Sequence, residues 1–460
     1  MPAETTARAE VRASWFSEAA ANLGLGLPIA VAYIAEMAVV FINNVMVGRL
    51  GATELAAGGL GGYFIYSPLL LGMGVLGGVA AVAAHAHGAG DHAKVAASAR
   101  QGLRLTILLS LPCIGLLLAL SLLVLPHLGY ERAVVEMVQG LLIWALPGIP
   151  AFLAFTALRN FVTALHRPRV VTVVAVAAVG VAALVNYVFI YGALGAPRLG
   201  VAGVGLSTSI CAWAQFLAVA IYIACDSGFR RYRVFARLGR SSPVLGEILH
   251  VGWPIAGAYM FENGLFLCTA VLVGLFSAAA LAAHTIVIGL CAFTFMVPYA
   301  VGQAATVRVG HALGAARPAR ARRAGFVALH LGVIWMACTA SAFLTLPRLL
   351  IGLYIKLDDP ANAATLAVAL LLLPIAALFQ VFDGTQAVAV GVLRGFKDTR
   401  QPMLICFIGY WLIGIASGSL LGFGFHLGVI GLWIGLLLGL AATAILLSLR
   451  FHRQSLKRLA

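Results

Sequence analysis

The sequence predicts an all-α polytopic membrane protein: twelve transmembrane helices in two pseudo-symmetric six-helix lobes, with both termini cytoplasmic. Three observations lead there. The 460-residue chain is 62% hydrophobic and only 10% charged, against about 25% charged residues in a soluble domain. It therefore cannot present a polar surface to water and must dissolve in a bilayer. Its apolar residues fall into twelve runs, each long enough to cross the hydrocarbon at roughly 20 residues per span. Finally, its second half repeats its first.

The spans are expected near 22–48, 57–84, 103–126, 135–160, 170–192, 200–224, 248–276, 281–306, 324–347, 362–393, 404–424 and 428–450. The opening residues are polar and mixed in charge, with no cleavable signal pattern ahead of the first run. Basic residues set the orientation. With a cytoplasmic N-terminus, 25 of the 30 lysines and arginines lie in inner segments, leaving Arg49, Arg132, Arg198, Arg348 and Lys356 outside. This is the positive-inside pattern, and it puts both termini in the cytoplasm.

The net charge of +15 lies between apolar runs and forms no basic patch interleaved with aromatics, so no nucleic-acid partner is expected. Membrane lipids are the expected neighbours of the basic loops. The seven cysteines are scattered singly and read as small hydrophobes, without a pairing framework.

The repeat is exact in register. At an offset of 226, GLPIAVAYIAEMAVVFINNVMVG (26–48) meets GWPIAGAYMFENGLFLCTAVLVG (252–274), and 14 of the 32 positions from Gly26 to Ala57 are identical. HAHGA (85–89) meets HALGA (311–315) in the same register, and LGVAG (199–203) meets LGVIG (427–431) at an offset of 228. Six spans per copy is an even number, so both copies face the same way, related by an axis along the membrane normal. The lobes are drawn as 1–235 and 236–460, joined by a basic linker at 227–243. Substrate sites in such folds lie near the midplane, where repeats meet.

Three acids, Glu36, Glu262 and Asp383, fall deep inside predicted spans, and no arginine or lysine falls at comparable depth. An acid at a helix centre costs about 2.5–3.5 kcal/mol or more and nearly always faces a cavity or a partner. Helical spacing supplies neighbours. Tyr259, Glu262, Phe266 and Thr269 share one face; Phe379, Gln380, Asp383 and Gln386 share a second; Tyr33, Glu36 and Asn43 share a third. An acid beside aromatic rings suits a lipophilic organic cation, which needs charge compensation and ring faces. The same acids suit coupling to a small cation: a desolvated carboxylate holds a proton more tightly, and a carboxylate with amide oxygens can ligate Na⁺. The sequence does not choose between them. Glycines and prolines such as GMGVLGG (72–78), Pro112, Pro147, Pro150, Pro298 and Pro374 read as close helix packing or as hinges.

These residues resemble the multidrug and toxic compound extrusion (MATE) transporters, most closely the NorM-like bacterial branch, over roughly 20–450. The most specific segments are AAHTIVIGLCAFTFMVPYAVGQAATVRVGHALGA (282–315), QVFDGTQAVAVGVLRGFKDTRQP (380–402) and LVNYVFIYGALGAPRLGVAGVGLST (184–208). The resemblance implies a central cleft between the lobes and an antiporter that exports organic cations against Na⁺ or H⁺ by alternating access. It also implies residence in a bacterial inner membrane, as a monomer with no cofactor beyond the coupling ion. In that branch an acid on the seventh helix and an aspartate on the tenth serve cation binding, and those motifs fall on Glu262 and Asp383, the expected Na⁺ ligands if the ion is Na⁺. Phe379 stands where relatives can have a tyrosine, and Asn186 matches a polar position of the first lobe. One departure matters. Relatives commonly carry an aspartate near the end of the first helix, where this chain has FINNVMVG (41–48) and thus Asn43. Glu36 is the expected relocated charge.

Two other classes make different demands on the residues. A flippase for lipid-linked precursors, of the same superfamily, needs a cationic cavity for pyrophosphate, and the deep charges read as acidic. A membrane-embedded enzyme needs clustered acids or histidines near one interface; the one adjacent acidic pair is Asp358-Asp359, in an outer loop. No GxxxxGK[ST] motif is present. The chain reads as a transporter, not an enzyme.

Overall fold

A backbone N–H or C=O left unpaired in hydrocarbon costs several kcal/mol, so a spanning chain must close its hydrogen bonds within helices or a barrel. The computed structural model describes residues 2–236 and 242–459, with side chains omitted for 2–14 and 52. Among the described residues every regular element is helical. Of the expected linker, 237–241 lie outside the described residues.

Among the described residues thirteen helices carry the architecture: α1 Pro2–Gly48, α2 Ala52–Gly88, α3 His92–Ala119, α4 Arg132–Ala145, α5 Gly148–Ala164, α6 Pro168–Tyr191 and α7 Ala202–Cys225 in the first repeat; then α8 Pro243–Gly274, α9 Ala278–Gly314, α10 Pro318–Thr345, α11 Ala363–Gly395, α12 Arg400–Gly424 and α13 Gly428–Lys457. Eleven are long and apolar enough to cross a membrane alone, and the bent pair α4–α5 makes a twelfth span. The twelve spans expected from hydropathy are present. Leu111, Val173 and Leu349 are among many large apolar side chains left exposed, the surface that hydrocarbon would cover.

The span expected over 135–160 is a bent pair: α4 and α5 meet at 52° at Pro147, one of the prolines that punctuate the spans. Pro147 has no N–H to give the preceding turn and its ring crowds that turn. The freed carbonyls find side chains on α7 instead. Ser209 Oγ donates to the Trp144 carbonyl at 2.7 Å, and Trp213 Nε1 donates to the Pro147 carbonyl at 2.9 Å. In α12 the departure is gentler: residues 408–415 and 420–424 are π-helical. Each π turn takes in an extra residue and re-aims the side chains that follow. Tyr410 lies in the first of them.

By packing, the described chain divides into two compact units, 31–256 and 1–30 with 257–460. The first half of α1 therefore packs with the second repeat, and the first half of α8 with the first. An ion pair pins each half-helix. Glu18 of α1, 4% exposed, binds Arg308 of α9 and, at 2.8 Å, Arg320 of α10. Glu247 of α8 binds Lys94 of α3 at 2.7 Å. Lys94 and Arg320 are themselves repeat mates at the 226 offset.

Close packing within the second unit uses glycine where α9 and α11 cross. A Cβ on Gly391 would lie 2.2 Å from the Gly302 carbonyl oxygen, and Thr306 Oγ1 donates to the Gly391 carbonyl at 2.7 Å. Without side chains at Gly302 and Gly391 the backbones come close enough for such bonds. This contact holds the polar end of α11 against α9.

Candidate functional site: a carboxylate pair in the second unit

Glu262 projects from the middle of α8, and Asp383 from α11, one turn before Gln386. The Gln386 amide joins them: Nε2 donates to Glu262 Oε1 at 3.2 Å and to Asp383 Oδ1 at 3.4 Å. Its oxygen accepts from the Tyr410 hydroxyl at 2.8 Å. The π turn of α12 places Tyr410, and the hydroxyl's donation fixes which end of the amide faces the acids. Asp383 is 5% exposed and Gln386 is buried. Two acids thus share one neutral donor.

A cavity opens beside them. Glu262, Gln386 and Tyr410 line it together with Tyr259, Phe295, Tyr299, Gln303 and Arg394. Tyr259 and Tyr299 share a 2.8 Å hydrogen bond between hydroxyls. Arg394, 7% exposed, donates from Nη1 to the Tyr259 hydroxyl at 3.0 Å and lies over the Tyr259 ring at 4.9 Å. Aromatic faces and the Glu262 carboxylate share this opening with one guanidinium, which the Tyr259 hydroxyl occupies; the rings and the carboxylate are groups able to hold a monovalent cation or a proton. Among the described residues, no group of three or more His, Cys, Asp or Glu side chains could hold a metal ion.

The remaining expected residues of this unit are placed apart from the cavity lining. Phe266 and Phe379 meet edge to face at 6.3 Å, and Phe379 packs on Trp433 at 5.7 Å. Gln380, fully buried, accepts from Thr294 Oγ1 at 2.9 Å.

The first unit holds the third acid, and here a sequence expectation is corrected. Glu36 does have a base at its depth: Arg159 Nη1 donates to Glu36 Oε1 at 2.6 Å. Arg159 is 7% exposed and lies over the rings of Tyr33 at 5.3 Å and Phe155 at 5.5 Å. Arg394 corrects the same expectation in the second unit. Both arginines are rooted near the ends of apolar runs, where hydropathy assigns them to loops, yet a long arginine stem reaches a turn or more inward. Asn43 and Asn186 come together as well, with Asn186 Nδ2 donating to Asn43 Oδ1 at 2.6 Å.

Arg159, Arg394, Tyr299 and Tyr410 are the residues that spacing arguments missed. A signal for the arginines exists: LRNF (158–161) and LRGF (393–396) match at an offset of 235, so each repeat carries an arginine at the same place.

Comparison with known proteins supplies the setting. The MatE family model matches residues 28–188 and 254–420, two segments that begin at repeat-mate prolines. Multidrug resistance protein NorM of Burkholderia vietnamiensis is 42% identical over 431 residues, covering 93% of this chain and 92% of that protein. Probable multidrug resistance protein NorM of Mesorhizobium japonicum is 40% identical over 443 residues, covering 96% and 95%. Among solved structures, the eukaryotic MATE transporter AtDTX14 superposes with a TM-score of 0.85 at 20% identity, covering 97% of this chain and 99% of that one. The Vibrio cholerae MATE transporter VcmN, in its bent form, superposes at 0.83 and 18% identity, covering 97% and 99%. At such identities the superpositions speak for the fold alone.

Proposed function

The chain belongs to the MatE family, and from that premise we propose that it is a multidrug efflux antiporter. It exports lipophilic organic cations in exchange for Na⁺ or H⁺ by alternating access. The observation that carries the reading is the Glu262–Gln386–Asp383 grouping beside a tyrosine-lined cavity. Two acids bonded to one neutral amide, with Arg394 held on the Tyr259 hydroxyl rather than on either of them, leave more negative charge than one guanidinium balances, so both can be anions only with a further cation. An incoming Na⁺ or proton and an outgoing organic cation would therefore compete for the same carboxylates, and competition for one site is the simplest basis of exchange. The names of the NorM relatives support the drug class. The positive-inside distribution supports cytoplasmic termini in a bacterial inner membrane.

Glu36, Asn43 and Asn186 form the polar lining of the first lobe in this reading, with Glu36 compensated by Arg159. The flippase alternative gains little from Arg394: one guanidinium stands against two carboxylates, which is not a pyrophosphate cradle.

The test is ethidium efflux from loaded cells, or uptake into inverted vesicles, with Na⁺ and pH gradients imposed separately. One gradient is expected to drive ethidium movement and the other not. Efflux indifferent to both gradients would refute antiport.

A further inference from the structure

The grouping of tyrosine, glutamate and arginine occurs twice in the chain, once in each unit. On α1, Tyr33 and Glu36 stand one turn apart; on α8, Tyr259 and Glu262 repeat them at the 226 offset. Arg159 and Arg394 repeat each other at the 235 offset. Each arginine lies over its tyrosine, at 5.3 Å for Arg159 on Tyr33 and 4.9 Å for Arg394 on Tyr259.

The two copies differ in one respect. Arg159 is bonded to its glutamate, at 2.6 Å. Arg394 is bonded to its tyrosine hydroxyl, at 3.0 Å, and Glu262 accepts from Gln386 instead. No ion pair joins Arg394 to Glu262 among the described residues. The two arrangements are one short swing apart. Tyr259 and Glu262 are three residues apart on a helix, about 4.5 Å of rise, and a guanidinium can cover that distance while staying on the ring face. Arg159 demonstrates the far position on the same scaffold. The Nε atoms of both arginines are buried without a hydrogen-bond partner among the described residues, so the copies differ only in what the Nη1 end holds.

We propose that Arg394 is a tethered counter-cation for Glu262. It rests on Tyr259 when a mobile cation holds the carboxylate, and moves onto Glu262, in the arrangement of Arg159 on Glu36, when that cation leaves. The proposal rests on the reading of Glu262 as a cation-binding carboxylate. The physical need is plain: a carboxylate emptied of its cation inside a membrane protein is expensive to leave alone. A guanidinium one turn away supplies the missing charge without a bulk ion, and it makes release of the exported cation less uphill. In this scheme Tyr259 is a positioning residue, because its hydroxyl holds Arg394 off the acid.

The test is ethidium binding to the purified full-length protein, followed by fluorescence titration. Tyr259→Phe keeps every charge and the ring but frees Arg394 to compete for Glu262. It should weaken ethidium binding about fivefold, the size of one net hydrogen bond. In an Arg394→Gln background the same change should shift affinity by less than about twofold, the signature of coupled neighbours. Arg394→Met takes the place of Arg394→Gln if that variant does not fold. Simple repulsion between Arg394 and the ligand predicts no effect of Tyr259→Phe. The exchange is overturned if Tyr259→Phe binds like wild type, or if its loss persists undiminished without Arg394. Glu262→Gln separates the two levels. If it binds ethidium as well as wild type, the cation-site reading falls and the exchange with it. If it weakens binding while Tyr259→Phe does nothing, the exchange alone falls.

Discussion

Arg159 and Glu36, 123 positions apart in the chain, form a 2.6 Å ion pair between α5 and α1. The arginine is buried and the glutamate partly so. Their union accounts for an acid in the middle of an apolar helix, since neither charge is tolerable there alone. It also sets the two units apart chemically: in the first the arginine is bonded to the deep acid, and in the second Arg394 is bonded to Tyr259 while the two acids accept from a neutral amide.

That pairing predicts an asymmetric response to mutation. Glu36→Gln and Arg159→Gln should each destabilise the protein by about 3–5 kcal/mol, because each leaves its partner uncompensated. The double variant Glu36→Gln/Arg159→Met should recover most of that loss. Thermal unfolding in detergent, followed by intrinsic tryptophan fluorescence, measures all three. Additive losses would mean that the pair is incidental.

Gln386 makes a second prediction. Its amide is the shared donor of Glu262 and Asp383, so Gln386→Leu removes a bond from each acid at little change in volume. Two long bonds, at 3.2 and 3.4 Å and about 0.5 kcal/mol or more apiece, predict a loss of ethidium affinity of about fivefold or more. Tyr410→Phe, which removes only the bond that orients the amide, should give a smaller change in the same direction. An unaltered titration curve for Gln386→Leu would detach the amide from the site.

The half-helix clamps should differ in strength. Glu18 is nearly buried between Arg308 and Arg320, and Glu18→Gln should lower stability by about 3 kcal/mol or more. Glu247 and Lys94 are each about a third exposed, and Glu247→Gln should lower stability by about 1 kcal/mol or less. Melting temperatures in the same detergent rank them; equal shifts would contradict the difference in burial.

A steric prediction follows at the crossing of α9 and α11. Gly391→Ala puts a methyl group 2.2 Å from the Gly302 carbonyl and should cost about 1–3 kcal/mol, the range for forced overpacking. Gly115→Ala, with nothing within 4 Å of the new methyl, should be close to neutral. Yield of folded protein by size-exclusion chromatography separates the two.

Much of the architecture was legible because the bilayer makes hydropathy a strong signal. Each span carries about 20 apolar residues, and the 226 offset holds from Gly26 to Ala89 of the first copy without a structural hint. Pro147 marked a place where a span could bend, but a hydropathy window is blind to a missing N–H and could not tell a bend from close packing. The acids Glu262 and Asp383 stood out by their depth, and Gln386 by its spacing from Asp383. What eluded the sequence was reach. Arg159 and Arg394 root at the helix ends, where a count of positive charges treats them as topology signals, and only side-chain geometry carries them to Tyr33 and Tyr259. Tyr410 was hidden for a related reason: a π turn breaks the 3.6-residue period on which facing residues are inferred.

Gradient-driven ethidium transport in proteoliposomes, compared for wild type, Glu262→Gln and Asp383→Asn, is the most direct measurement of the central claim. With protein incorporation matched, wild type should respond to a Na⁺ or pH gradient, while each variant retains less than about a tenth of that response, the loss of about 1.4 kcal/mol or more in coupling. Undiminished gradient-driven transport in both variants would contradict the assignment of Glu262 and Asp383 as the coupling site.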